Sequence, residues 1–251
     1  MTTVVAPHAD PVAEGARIAQ TAEETGLELR LVGGVGVALR CVSAASPPLK
    51  RAYKDVDVAG RAADGARIGE LLLGAGYIAD ERFNALNGDR RLLFFDTVNG
   101  RQLDVFLDRV ELCHQIDLRP RLEIPGDTLP LADLLLMKLQ VVETNDKDFR
   151  DMAALLVDQP LADHDDDAIN VSYLCGLAAR DWGLWRTMTM VARRLDAHAA
   201  SLDDAAIAAA VSEKVAILLD ALDSVPKTRG WRMRARVGDR VRWYELPDDG
   251  G

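Results

Sequence analysis

Two aspartates two residues apart, Asp55 and Asp57, sit in the valine-flanked run Lys54-Asp55-Val56-Asp57-Val58. In an extended strand, residues two apart project from one face, so this spacing aims two carboxylates the same way. Ionised carboxylates held side by side repel, and neither core packing nor surface solvation explains them well. A divalent cation removes the repulsion, and hard oxygen donors suit Mg²⁺. Asp104, in Gln102-Leu103-Asp104-Val105-Phe106, would complete the site, although on spacing alone Asp96 or Asp108 serves equally. Upstream, Leu31-Val32-Gly33-Gly34-Val35-Gly36 reads as a glycine turn running directly into a helix.

The surrounding pattern supplies elements to hold these residues. Val12, Ala16, Ile18, Ala19 and Ala22 predict an amphipathic helix over Pro11–Thr25, closed by Gly26. A short strand over 27–32 leads into a helix over 33–42. A loop with Pro47-Pro48 follows, then the acid-bearing strand over 53–59 and a helix over 64–73 ended by Gly74-Ala75-Gly76. Leu92–Thr97 and Arg101–Phe106 flank Val98-Asn99-Gly100, a strong hairpin signal that puts Asp104 on the returning strand. From Leu129 the chain turns helical. Helices are expected over 130–142, with Asp127 or Thr128 as N-cap, and then over 147–157, 166–179, 184–199 and 203–222. Arg232 to Tyr244 alternates arginine with Met, Ala, Val and Trp about Gly238-Asp239, which reads as an amphipathic β-hairpin. The expected fold class is therefore α+β. A mixed-sheet core over 1–125 precedes a helical region over 126–225 and a basic β-hairpin and tail over 226–251.

Composition narrows the classes. About half of the 251 residues are apolar, enough for a sizeable core. No apolar run is long enough to span a membrane, and the first residues lack the form of a secretory signal. Three scattered cysteines argue for a reducing, cytoplasmic setting and against disulfides. Four histidines without paired spacing argue against zinc. The formal net charge of −10 disfavours general nucleic-acid coating while permitting a local basic patch. The acid run Asp163–Asp167 reads as the solvated start of a helix rather than a metal site.

Gly33-Gly34 before a helix, Asp55-x-Asp57 on a strand and Asp104 on a neighbouring strand together resemble the nucleotidyltransferase superfamily typified by DNA polymerase β. Arg51-Ala52-Tyr53-Lys54-Asp55-Val56-Asp57 is similar to the corresponding run of minimal bacterial members. Leu131–Leu139 and Lys147-Asp148-Phe149-Arg150-Asp151 are similar to downstream motifs of AbiEii-type toxin relatives. The resemblance covers about residues 27 to 156. It implies a Mg²⁺-dependent enzyme with two metal ions held by Asp55, Asp57 and Asp104, which clamp an in-line displacement at the α-phosphorus of an NTP such as ATP. A nucleoside monophosphate would pass to an acceptor hydroxyl on an RNA 3′ end, a protein or a small molecule, with a toxin role and an antitoxin partner among the possibilities. The Gly33-Gly34 amides at the helix N-terminus would face the polyphosphate.

Lys138, in an apolar helix, is either a lysine snorkelling to the surface or an ammonium on the triphosphate. Arg51 and Lys54 either neutralise phosphate or pair on the surface, and Asp151 would orient a nucleotide-contacting residue. Two departures stand out: Gly34 replaces a serine common in the family, and the span from Gly34 to Asp55 is long. Arg232, Arg234, Arg236, Arg240 and Arg242, expected on one hairpin face beside Trp231, Trp243 and Tyr244, would either bind RNA or keep an edge from aggregating. A fold-retaining, non-catalytic nucleotide- or partner-binding protein is the rival to the enzyme.

Overall fold

The computed structural model describes residues 6–246. The chain divides into two compact units. The first takes the described residues up to Arg40 with Ala52–Val110 and Gln115–Leu129. The second takes Cys41–Arg51, Glu111–His114 and the described residues from Pro130 onward.

In the first unit α1 (Pro11–Glu24) begins where the Asp10 carboxylate accepts from the Ala13 N–H and ends ahead of Gly26, at φ +67°. It is followed by β1 (Leu29–Val32), α2 (Gly33–Arg40), β2 (Val56–Gly60), α3 (Gly65–Gly74) and β3 (Ile78–Ala79). Then come α4 (Glu81–Asn87), β4 (Arg91–Asp96), β5 (Arg101–Leu107), β6 (Arg109–Glu111, of which Glu111 counts with the second unit), β7 (Gln115–Asp117) and α5 (Arg119–Leu122). Five strands form one sheet in the order β1-β2-β5-β4-β3. The β2/β5 pair is parallel and the other pairs are antiparallel. The hairpin expected at Asn99-Gly100 is present: Asp96 pairs with Arg101, its carboxylate accepts from the Val98 and Asn99 amides, and Gly100 turns at φ +66°.

Period-2 alternation divides this sheet sharply. Val56, Val58, Leu103, Val105 and Leu107 point to one side and pack with Ile18 and Ala22 of α1 and Ile68 and Leu72 of α3. Asp57 and Asp104 alternate with them, on the opposite face.

The second unit is mainly helical: α6 (Leu131–Leu139), α7 (Asp146–Asp158), α8 (Val171–Ala178), α9 (Trp182–Ala199), α10 (Ala205–Ser224) and α11 (Arg229–Val237). Two short parallel strands, β8 (Leu161–Ala162) and β9 (Ile169–Asn170), interrupt the series. The α+β class with a helical C-terminal region is thus observed, and no described helix is long and apolar enough to cross a membrane.

Several expectations need correction. The terminal β-hairpin is absent. Thr228 caps Trp231 and Gly238 terminates the segment at φ +59°, so the residues between form α11. Arg, Met and Ala are good helix formers, and Met233, Val237 and Val241, expected on the apolar face of the hairpin, are exposed. The tail from 247 on lies outside the described residues. The acid run 163–167 precedes β9 instead of opening a helix. Asp167 has φ +47°, and α8 starts only at Val171, capped by Asn170. Helix α6 starts after Pro130 with no side-chain cap from Asp127 or Thr128.

All four tryptophans lie in the second unit. Trp182 meets Trp185 and Trp243, and Trp185 meets Trp231, at centroid separations of 5.2 to 6.5 Å. The Trp243 indole N–H donates to Thr187 Oγ1 at 3.0 Å, and that oxygen lies 2.8 Å from Nε2 of buried His114. Burial pushes the His114 pKa down, only partly opposed by the negative charge of Asp181. The folded state therefore favours neutral imidazole. As pH falls below about 6.5 the unfolded chain takes the proton first, and stability drops. We expect tryptophan-monitored melting temperature to decline between pH 7 and pH 5, and His114→Gln to flatten that decline. The buried carboxylates Glu14 and Asp96, whose pKa values are lowered, lose their contributions only at more acidic pH.

Candidate functional site

The expected acids come together through strand register. Asp57 on β2 is the direct partner of Asp104 on β5, so both carboxylates leave the same face from adjacent strands. Such partners have backbones about 4.8 Å apart. On its other side Asp57 pairs with Val32, the last residue of β1. The chain then turns at Gly33, with φ +62°, and enters α2. A Cβ placed on Gly33 would stand 2.2 Å from Asp57 Oδ2 and 3.0 Å from its Cγ. Only glycine accepts both the backbone angle and a carboxylate in the space of its missing side chain. The acid thus rests against the first turn of α2, where the helix dipole favours negative charge.

Asp55 is placed differently from expectation. It lies one residue before β2 rather than within the strand, because β1 gives way to α2 at Gly33 and the ladder on that side stops at Asp57. Asp55 is exposed, as is Lys54, and neither has a hydrogen-bond or ion-pair partner among the described residues. Asp104 is 4 % exposed and held on both oxygens. Arg91 donates from Nε at 2.8 Å and from Nη2 at 2.7 Å to Oδ1, while Gln102 Nε2 donates to Oδ2 at 2.7 Å. Among the described residues no three His, Cys, Asp or Glu side chains are gathered as a ready metal cage. The donors nonetheless fit a hard divalent cation. Two carboxylates share one face, with a third two residues ahead of the first.

Arg91 and Gln102 were not anticipated from composition or motif. The signal was in the hairpin register. Counting back from the Asp96–Arg101 pair sets Leu93 opposite Asp104, so Arg91 and Gln102 fall on the acid face, each two residues from a member of that pair.

The remaining candidates belong to the second unit and form one charge network. Asp151, 1 % exposed, accepts from Arg51 Nε and Nη2, each at 2.6 Å. Its Oδ2 is also 3.1 Å from Lys138 Nζ, which reaches Asp148 Oδ1 at 2.8 Å. Lys138 does not snorkel: its side chain is 14 % exposed and tied to two carboxylates. Burial pulls its pKa down, but Asp151 and Asp148 more than compensate and the net shift is upward. Asp148 also closes a capping box with Asn145 at the start of α7.

The five arginines proposed for RNA do not share a face. Arg234 turns inward, 4.5 Å over the Trp182 ring, and donates to the Gly238 and Val241 carbonyls. Arg232, Arg236, Arg240 and Arg242 are exposed.

No protein-family model matches the chain, and no curated protein matches it. Among solved structures, the crystal structure of JHP933 from Helicobacter pylori aligns over 90 % of this chain and 94 % of that one, with 10 % identity and a TM-score of 0.39.

Proposed function

We propose that the protein is a Mg²⁺-dependent nucleotidyltransferase that moves a nucleoside monophosphate from an NTP to an acceptor hydroxyl on an RNA 3′ end, a protein or a small molecule. The observation that carries this reading is the Asp57 carboxylate lodged where Gly33 lacks a side chain, with Asp104 beside it on the same face. Asp57 and Asp104 would hold the metal, and exposed Asp55 would add a third oxygen. When bound, Mg²⁺ supplies neutralisation of triphosphate charge and polarisation at the α-phosphorus. The amides opening α2 at Gly33 and Gly34 would bind phosphate oxygens. Lys54 adds unpaired positive charge next to the acids. Arg91 and Gln102 keep the Asp104 carboxylate oriented. In the same reading Asp151 is a positioning residue that fixes the Arg51 and Lys138 cations.

A second reading, nucleotide or partner binding without transfer, is favoured by one observation: both Asp104 oxygens already accept from Arg91 and Gln102. Incubation with each α-³²P-labelled NTP and Mg²⁺, in the presence of bulk tRNA, cell extract or aminoglycosides, separates the two. The transferase reading expects a labelled product that Asp57→Ala and Asp104→Asn each reduce at least about a hundred-fold, the scale of a lost metal ligand. NTP binding measured by calorimetry that survives Asp57→Ala, with no labelled product from any acceptor, would instead establish the second reading.

A further inference from the structure

We propose that the outer face of α11 is a docking surface for the phosphate backbone of nucleic acid. This rests on no part of the transferase reading. Residues 229–242 hold six arginines, no lysine and one acid, Asp239, in a chain whose net charge is −10. Asp239 is already engaged by Arg186, at 3.0 Å.

The nine residues of α11 sort cleanly by helical angle. Trp231, Arg234 and Ala235 fall on one side and are half-buried. Trp231 packs edge-on to Trp185, and Arg234 lies over Trp182. Arg229, Arg232 and Arg236, at i, i+3 and i+7, share the opposite side and are exposed, and Arg240 continues beyond the helix end. None of these four side chains has a hydrogen-bond or ion-pair partner among the described residues. The inward guanidinium is spent on fixing the helix, and the outward ones are held ready on a rigid base.

Charge complementarity selects an anionic occupant, and arginine in place of lysine selects one matched to a planar fork of donors, as phosphate is. The tryptophans face inward with their rings packed on one another, so no stacking platform is offered to bases. Recognition here is of backbone charge, without sequence preference. Exposed Met233 and Val237 beside the arginine row make an acidic protein segment the competing occupant.

Fluorescence anisotropy with a 5′-fluorescein-labelled oligouridylate of twenty nucleotides, read from 50 to 200 mM NaCl, tests the proposal. The binding constant is expected to fall with salt at a logarithmic slope of about −3, for four or so phosphates engaged. Arg232→Glu/Arg236→Glu is expected to weaken binding at least ten-fold and to flatten the slope by about 1.4, because two phosphates are no longer neutralised. Unchanged tryptophan emission would show that α11 remains seated. Arg82→Glu/Arg193→Glu, an equal charge change at exposed positions elsewhere, is expected to stay within two-fold of the parent. Equal weakening by both pairs, no binding at 50 mM NaCl, or tighter binding of a labelled poly-glutamate of the same length would each overturn the assignment.

Discussion

Alanine at position 33 is expected to abolish Mg²⁺-dependent NTP binding while leaving the protein folded. Two costs coincide there. At φ +62° an L-residue pays about 1 kcal/mol that glycine does not. The added methyl would also stand 2.2 Å from Asp57 Oδ2, a separation that cannot persist, so the carboxylate must swing off the α2 turn or the turn must shift. Either movement separates the acid from the amides and from Asp104. Gly100 provides the matched control. It has φ +66°, and nothing lies within 4 Å of its own added Cβ, so Gly100→Ala carries the strain without the collision. Melting temperature should fall in both variants and further in Gly33→Ala, which adds the collision to the strain, whereas calorimetry with NTP and Mg²⁺ should show binding abolished only in Gly33→Ala. Undiminished binding by Gly33→Ala would remove the central support of the transferase proposal.

Loss of the Asp151 carboxylate is the change expected to damage stability most. One almost fully buried acid serves two cations whose side chains are 12 % and 14 % exposed. In Asp151→Ala, Lys138 retains Asp148, but Arg51 loses its bidentate partner in a poorly solvated place. Breaking a buried pair by removing one member costs about 3–5 kcal/mol. For a chain of this size that corresponds to a melting point lower by about 10 °C. The tryptophans report it directly, since they lie in the same unit. Asp151→Leu combined with Lys138→Met removes charges of both signs together and should lose less than the sum of its parts. Additive losses would mean that the two side chains do not act as a unit.

Much of the sheet was legible because its signals are local. Asn99-Gly100 between apolar runs marks the hairpin, and alternation along β2 and β5 assigns the valines and leucines to one face and the aspartates to the other. The boundary at Asp55 was not legible, because where a ladder stops depends on the partner strand, here on β1 turning into α2. Arg91 was missed for a related reason. Its role follows from register across a hairpin, and single-residue chemistry gives no hint of it. The C-terminal error has another origin. Alternation of arginine with apolar residues over the six positions 232–237 satisfies a strand, but short runs constrain period poorly. The better signal was at the ends, Thr228 before the run and Gly238 after it, which bracket a helix. The acid run misled because Asp suits a helix start but equally tolerates the turn taken at Asp167.

The parallel pairing of β2 with β5 bears on how this protein tolerates change over evolutionary time. Adding or deleting a single residue inside β5 upstream of Asp104 would invert its side chain, driving a carboxylate into the leucine- and valine-lined interior and delivering an apolar group to the acid face. The connection Thr97–Gly100, which is wholly exposed, is free to lengthen or shorten without that inversion. Descendants of this chain should therefore accumulate indels at the hairpin tip and be almost devoid of them along the strand a few residues away.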